Sequence, residues 1–123
     1  MDDFASEETI SSAPQSYGHD MALDSNGNVW VSYKDTRNII DGSDSSQSAD
    51  IFLADKESGW SSTRVTSLPI SFKELRDTAL TIDSFDNKIV AWDQLSDDKS
   101  SVGVYYASTG NSLLKTFVDS STN

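Results

Sequence analysis

Apolar and polar positions alternate with a period of two through most of the chain from His19 onward, the mark of strands buried on one side. Met21 and Leu23 stand on one side of a first strand, and Val29 to Tyr33, β-branched and aromatic, makes a second. Asn26-Gly27 between them is the strongest short hairpin signal in the sequence. Asn38 to Ser48, holding Asp41, Gly42 and Asp44 among serines, reads as a loop. Ala49 to Asp55 predicts a third strand, Lys56-Glu57-Ser58-Gly59 a turn, and Trp60 to Thr66 a fourth strand. The same rhythm resumes over Thr78 to Ile82, Lys88 to Trp92, Val102 to Ala107 and Leu113 to Val118, with turns at Asp83 to Asn87, Leu95 to Ser101 and Ser108 to Ser112. The fold class expected is all-β, with eight strands in two antiparallel meander sheets.

The two meanders are copies of one another. Asp24-Ser25-Asn26-Gly27-Asn28-Val29-Trp30-Val31-Ser32-Tyr33 aligns with Asp83-Ser84-Phe85-Asp86-Asn87-Lys88-Ile89-Val90-Ala91-Trp92 at an offset of 59 residues. Farther on, Ile51-Phe52-Leu53-Ala54 aligns with Val104-Tyr105-Tyr106-Ala107 at an offset of 53, because the second copy has a shorter loop. Repeats of several strands each predict stacked, propeller-type architecture. Three segments follow: an acidic, serine-rich tail over 1–17, in which Phe4 and Ile10 offer an edge contact, a first repeat over 18–70, and a second over 71–123. Leu68-Pro69 separates the repeats. Ser71 and Glu74 have the spacing of a capping box, but no helical apolar stripe continues beyond Leu75, so this stretch reads as a connector.

The run His19-Asp20-Met21-Ala22-Leu23-Asp24-Ser25-Asn26-Gly27-Asn28-Val29-Trp30-Val31-Ser32-Tyr33, followed by Asp35-Thr36-Arg37 and Ala49-Asp50-Ile51-Phe52-Leu53-Ala54, resembles one blade of the sialidase-type, BNR-repeat β-propellers. In that family the turn between a blade's third and fourth strands often carries an Asp-box. Asp55, Gly59 and Trp60 stand there as a degenerate version, and the second copy keeps only Ser108, Thr109 and Gly110. Such boxes are mostly structural, so the resemblance gives Asp55 and Trp60 a packing role. It also implies that one rim of the blades binds glycans. Propellers use roughly four to eight blades, and two alone leave apolar faces bare. Self-association is therefore expected to complete a ring, three copies giving six blades; the alternative is a structural fragment of a larger propeller.

Composition narrows the partners. Only 36% of residues are hydrophobic, against the usual 45–50% or so, so the core is thin. Nine basic and twenty acidic side chains leave a formal charge of −11, a field that repels nucleic acid and anionic membrane. Neither is expected as a partner. The absence of cysteine rules out disulfides and thiolate metal sites. No apolar run approaches the ~18 residues of a membrane helix, and the N-terminus lacks the features of a signal peptide; the compartment stays open.

Strand alternation places the start of a blade's first strand and the loop after its second at the same rim. That gathers His19, Asp20, Arg76 and Asp77 with loops holding Asp35, Arg37, Asp41, Asp44, Asp93, Asp97 and Asp98. Tyr33 and Trp92 end their strands nearest this rim and offer rings for stacking on a sugar. The candidate ligand-binding residues are therefore Tyr33, Asp35, Arg37, Arg76, Asp77, Trp92 and Asp93. The sialidase resemblance requires an arginine triad clamping a carboxylate. Only Arg37, Arg64 and Arg76 are present, and Arg64 falls in an outer strand. Asp41-Gly42-Ser43-Asp44 lacks the alternating ligands and closing Glu of a calcium loop, so no metal or cofactor is expected. His19 beside Asp20 has the makings of a general base; a strand histidine bonded to its neighbouring carboxylate is the reading adopted. A non-catalytic binding or scaffold module, acting as a homo-oligomer, is the function expected, with sialidase-like glycoside hydrolysis as the alternative.

Overall fold

The computed structural model describes residues 6–11, 16–35, 50–66, 75–95, 101–109 and 116–122, with backbone alone for 75–76, 94–95, 101–102 and 116–122. The strands are β1 Ser16–Leu23, β2 Val29–Asp35, β3 Asp50–Asp55, β4 Ser62–Arg64, β5 Leu75–Ile82, β6 Lys88–Leu95, β7 Ser101–Ser108 and β8 Thr116–Thr122. They form two four-stranded sheets in the orders β1-β2-β3-β4 and β5-β6-β7-β8, every pairing antiparallel. The chain is all-β, and the described residues contain no α-helix.

Local chemistry explains the boundaries. Asp24 closes the β1–β2 turn by accepting the Asn26 and Asn28 amides at Oδ1, 2.9 and 3.0 Å, and the Trp30 indole N–H at Oδ2, 3.1 Å. Asp83 repeats the device, taking the amides of Phe85 and Asn87 and the Asn87 side-chain N–H. Gly27 and Asp86, equivalent in the repeat, both hold positive φ, 79° and 64°. The fourth strand starts two residues later than the pattern suggested. Trp60 has φ 67° and its N–H donates to the Asp55 carbonyl at 2.9 Å, so it belongs to the turn. β5 begins earlier than expected, at Leu75, and absorbs the residues after the connector. Its register steps from Leu75↔Gln94 to Thr78↔Trp92, a bulge that sets Arg76 and Asp77 against Asp93. A similar bulge in β1 sets Gly18, φ 64°, and His19 against Tyr33. The expected strand at Leu113 to Val118 is found at Thr116–Thr122; Leu113 and Leu114 lie outside the described residues, as do Asn38 to Ser48.

The sheets stack face to face. Ile51 and Leu53 of the first sheet meet Leu80, Val90, Trp92 and Ala107 of the second, with Trp30 and Tyr105 at the margin. Polar contacts brace this interface: Ser32 Oγ and Thr78 Oγ1 lie 2.7 Å apart, the Thr78 hydroxyl donates to the Gly18 carbonyl at 2.8 Å, the Leu80 N–H donates to Asp20 Oδ2 at 2.8 Å, Ser25 donates to Asp86, and Lys88 Nζ sits 4.2 Å above the Trp30 ring. A second cluster, Val31, Tyr33, Phe52 and Ala54, covers the opposite face of the first sheet. Period-two alternation along β2 and β3 sends their residues to these two clusters in turn.

Candidate functional site

The outer face of the first sheet carries a cleft of about 410 Å³, lined by Tyr17, His19, Met21, Val31 and Tyr33 on the strands and by Glu8 to Ser11 and Ser16 at its edge. Residues 6–11, expected as tail, lie against this face. Ile10 packs on the Val31–Tyr33–Phe52 cluster. Glu8 grips the β3–β4 turn with both carboxylate oxygens: Oε1 accepts the Trp60 indole N–H at 3.1 Å and Oε2 stands 3.4 Å from Lys56 Nζ. Ser11 Oγ lies 2.8 Å from Ser16 Oγ and donates to Asp35 Oδ2 at 3.3 Å. The segment thus occupies a groove as a bound peptide would, with one apolar anchor and a polar contact on either side.

Of the seven candidate residues, the groove gathers Tyr33 on its floor and Asp35 at its end. Tyr33 is 3% exposed, its ring stacked on Phe52 with centroids 6.0 Å apart. Trp92 is placed elsewhere: β6 continues past it to Leu95, and the ring is buried between the sheets, 6.2 Å from Tyr105. Asp93, next along β6, projects from the other face of that sheet. Asp77 is exposed at the β5 bulge. Arg76 is described by its backbone in β5, and Arg37, Asp41, Asp44, Asp97 and Asp98 lie outside the described residues.

His19 and Asp20 do not form a couple. They are drawn apart by the alternation of β1, His19 lining the outer cleft while Asp20 accepts from the Met21 amide and reaches across to Leu80. At the rim, Asp35 and Asp50 face one another across β2 and β3, both buried. Asp50 binds Arg64 Nη2 at 2.7 Å and the Thr66 hydroxyl at 2.9 Å. Arg64 is therefore committed to bracing β3 to β4.

The turn carboxylates are tuned as hydrogen-bond acceptors. The Trp30 indole, followed by the Asn28 and Asn26 amides and the Lys88 charge, outweighs desolvation and holds Asp24 below the ordinary carboxylate range. The Asn87 side chain and amide do the same for Asp83. At Asp55 burial is the largest single influence and pushes upward, yet the bonds from Ser58 and Asn28 together prevail and the net direction is down. Burial pushes the Tyr17 phenol above its usual value, under a Lys34 ammonium 4.5 Å from its ring centre. Among the described residues no group of three or more His, Asp or Glu is placed to hold a metal ion.

Sequence reasoning missed Glu8, Ser11 and Tyr17 as parts of the site, and gave Ile10 only as an edge contact for an assembly. The one available signal was Ile10, a lone branched apolar residue in an acidic, serine-rich stretch. Comparison with protein-family models, with curated proteins and with solved structures finds no match to this chain.

Proposed function

We propose that the chain is a non-catalytic, propeller-blade-like binding or scaffold module that works as an assembly of its own copies. The observation that carries this reading is the pair of stacked sheets, whose outer faces remain apolar after the inner faces have met: Met21 and Leu23 are 60% and 62% exposed on one, Val104 41% on the other. These exposed apolar side chains, on both outer faces of a strongly acidic chain, support the reading of the outer faces as joints between copies. The ligand class suggested by the blade resemblance is a glycan. Light scattering tests the assembly, with a mass of several chains expected and a mass of one chain at all concentrations overturning it. A glycan array tests the ligand.

A further inference from the structure

The repeat makes the two outer faces complementary in the same sense as the two inner ones. Met21, Val31 and Tyr33, on the outer face of the first sheet, align at the offset of 59 with Leu80, Val90 and Trp92, which face inward on the second. Phe52 and Ala54 align in the same way with Tyr105 and Ala107 at the offset of 53. Even the ring stack recurs: Tyr33 on Phe52 at 6.0 Å and 22°, Trp92 on Tyr105 at 6.2 Å and 17°. Conversely, Trp30, Ser32 and Leu53, inward on the first sheet, align with Ile89, Ala91 and Tyr106, which alternation sends to the outer face of the second. A second copy placed with its second sheet against the first sheet of this one continues the stacking already seen within the chain.

We infer that this chain associates head to tail through those faces, the outer face of β5–β8 of one copy seating on the outer face of β1–β4 of the next and displacing residues 6–11. The inference rests on the self-associating reading above and specifies its interface. Such a joint is heterologous, using two different patches, and builds rings where the rotation closes or filaments where it does not. It is also less braced than the internal one. Asp20 and Ser32, which hold the second sheet within the chain, align with Ala79 and Ala91, and the Lys88–Trp30 contact becomes Val29 on Ile89. Thr78 and Gly18 align with His19 and Asp77, so the joint keeps fewer polar anchors than the internal one and is an interface that copies can leave and rejoin. Ile10 and Glu8 compete for it by holding the segment 6–11 over the same cluster.

Sedimentation and light scattering on full-length chains test this. Val104→Glu spoils one face and Met21→Glu the other; both positions are exposed in the single chain, so folding is kept, as circular dichroism checks. Each variant alone is expected to be a monomer, and an equimolar mixture is expected to form two-chain species that grow no further, because each dimer has used its one intact pair of faces. Ile10→Asp is expected to loosen the covering segment and lower the concentration for half-assembly about tenfold. Added sodium chloride is expected to favour association, since copies that each carry −11 repel. If the parent assembles and both face variants assemble equally, the head-to-tail interface is wrong while self-association stands. If the parent and Ile10→Asp are both monomers throughout, self-association falls as well.

Discussion

Ser32 and Thr78, 46 residues apart in sequence, bring their hydroxyl groups to 2.7 Å at the centre of the interface between the sheets. The direction of the bond follows from a second one. Thr78 has a single hydroxyl proton, and it is donated to the Gly18 carbonyl at 2.8 Å, so Ser32 is the donor to Thr78. Thr78→Val keeps the shape but strands the buried Ser32 hydroxyl, at about 1–3 kcal/mol, and also the partly buried Gly18 carbonyl. Ser32→Ala leaves the bond to Gly18 intact and is expected to cost about 1 kcal/mol. Urea denaturation of the two variants checks the order; an equal loss would refute the assigned direction.

Trp60 gives a second prediction. Deleting a fully buried Trp costs about 3–5 kcal/mol. Trp60 is only half-buried against the outer cluster, so Trp60→Ala is expected to remove roughly half of that. Because its indole N–H holds Glu8, the same change should free residues 6–11, visible as faster amide hydrogen exchange there. Trp60→Phe should retain most of the stability yet still release the segment.

The strands and their meander order were legible because period-two alternation is a local property, and the Asp24 and Asp83 turns repeat it in register. Which side of a strand meets which partner is not local. Trp92 reads as a strand-end aromatic next to Asp93, yet β6 runs on and alternation buries it. Trp60 reads as the first residue of an extended segment, but its backbone turns left-handed to close a hydrogen bond to Asp55. The docking of Glu8 and Ile10 depends on a face formed by β1 to β3, which no window of the sequence around them contains.

Acid should weaken the turns by a calculable sign. The folded-state pKa values of Asp24 and Asp83 are lowered, so their contribution is fully present above the unfolded value near ~3.9 and is lost as pH falls through the lower folded values. Protonating other carboxylates relieves repulsion in a chain of charge −11, so the whole-protein curve mixes opposing effects. Comparison with an Asp24→Asn, Asp83→Asn variant separates them. The stability gap between parent and variant is expected to be largest at neutral pH and to shrink below about pH 4. A gap independent of pH would remove the charge from the explanation.

Asp86 offers a test of backbone against side chain. Its left-handed φ of 64° costs a non-glycine residue about 1–2 kcal/mol, while its carboxylate accepts the Ser25 amide at 2.8 Å and the Ser25 hydroxyl, tying the two equivalent turns together. Asp86→Gly relieves the first and loses the second, and is expected within ~1 kcal/mol of the parent. Asp86→Ala keeps the strain and loses the bonds, and should fall ~1–2 kcal/mol below the Gly variant. Thermal melts at one protein concentration read the order.

Meander connectivity has an evolutionary consequence. Each strand pairs with its neighbour in sequence, so a whole sheet forms from short-range closures, the kind that fold fastest, and no strand of one sheet threads through the other. Copying or removing one such unit changes the length of the chain without rewiring any pairing. A gene encoding this fold can therefore grow or shrink by whole sheets while every remaining strand keeps its partner.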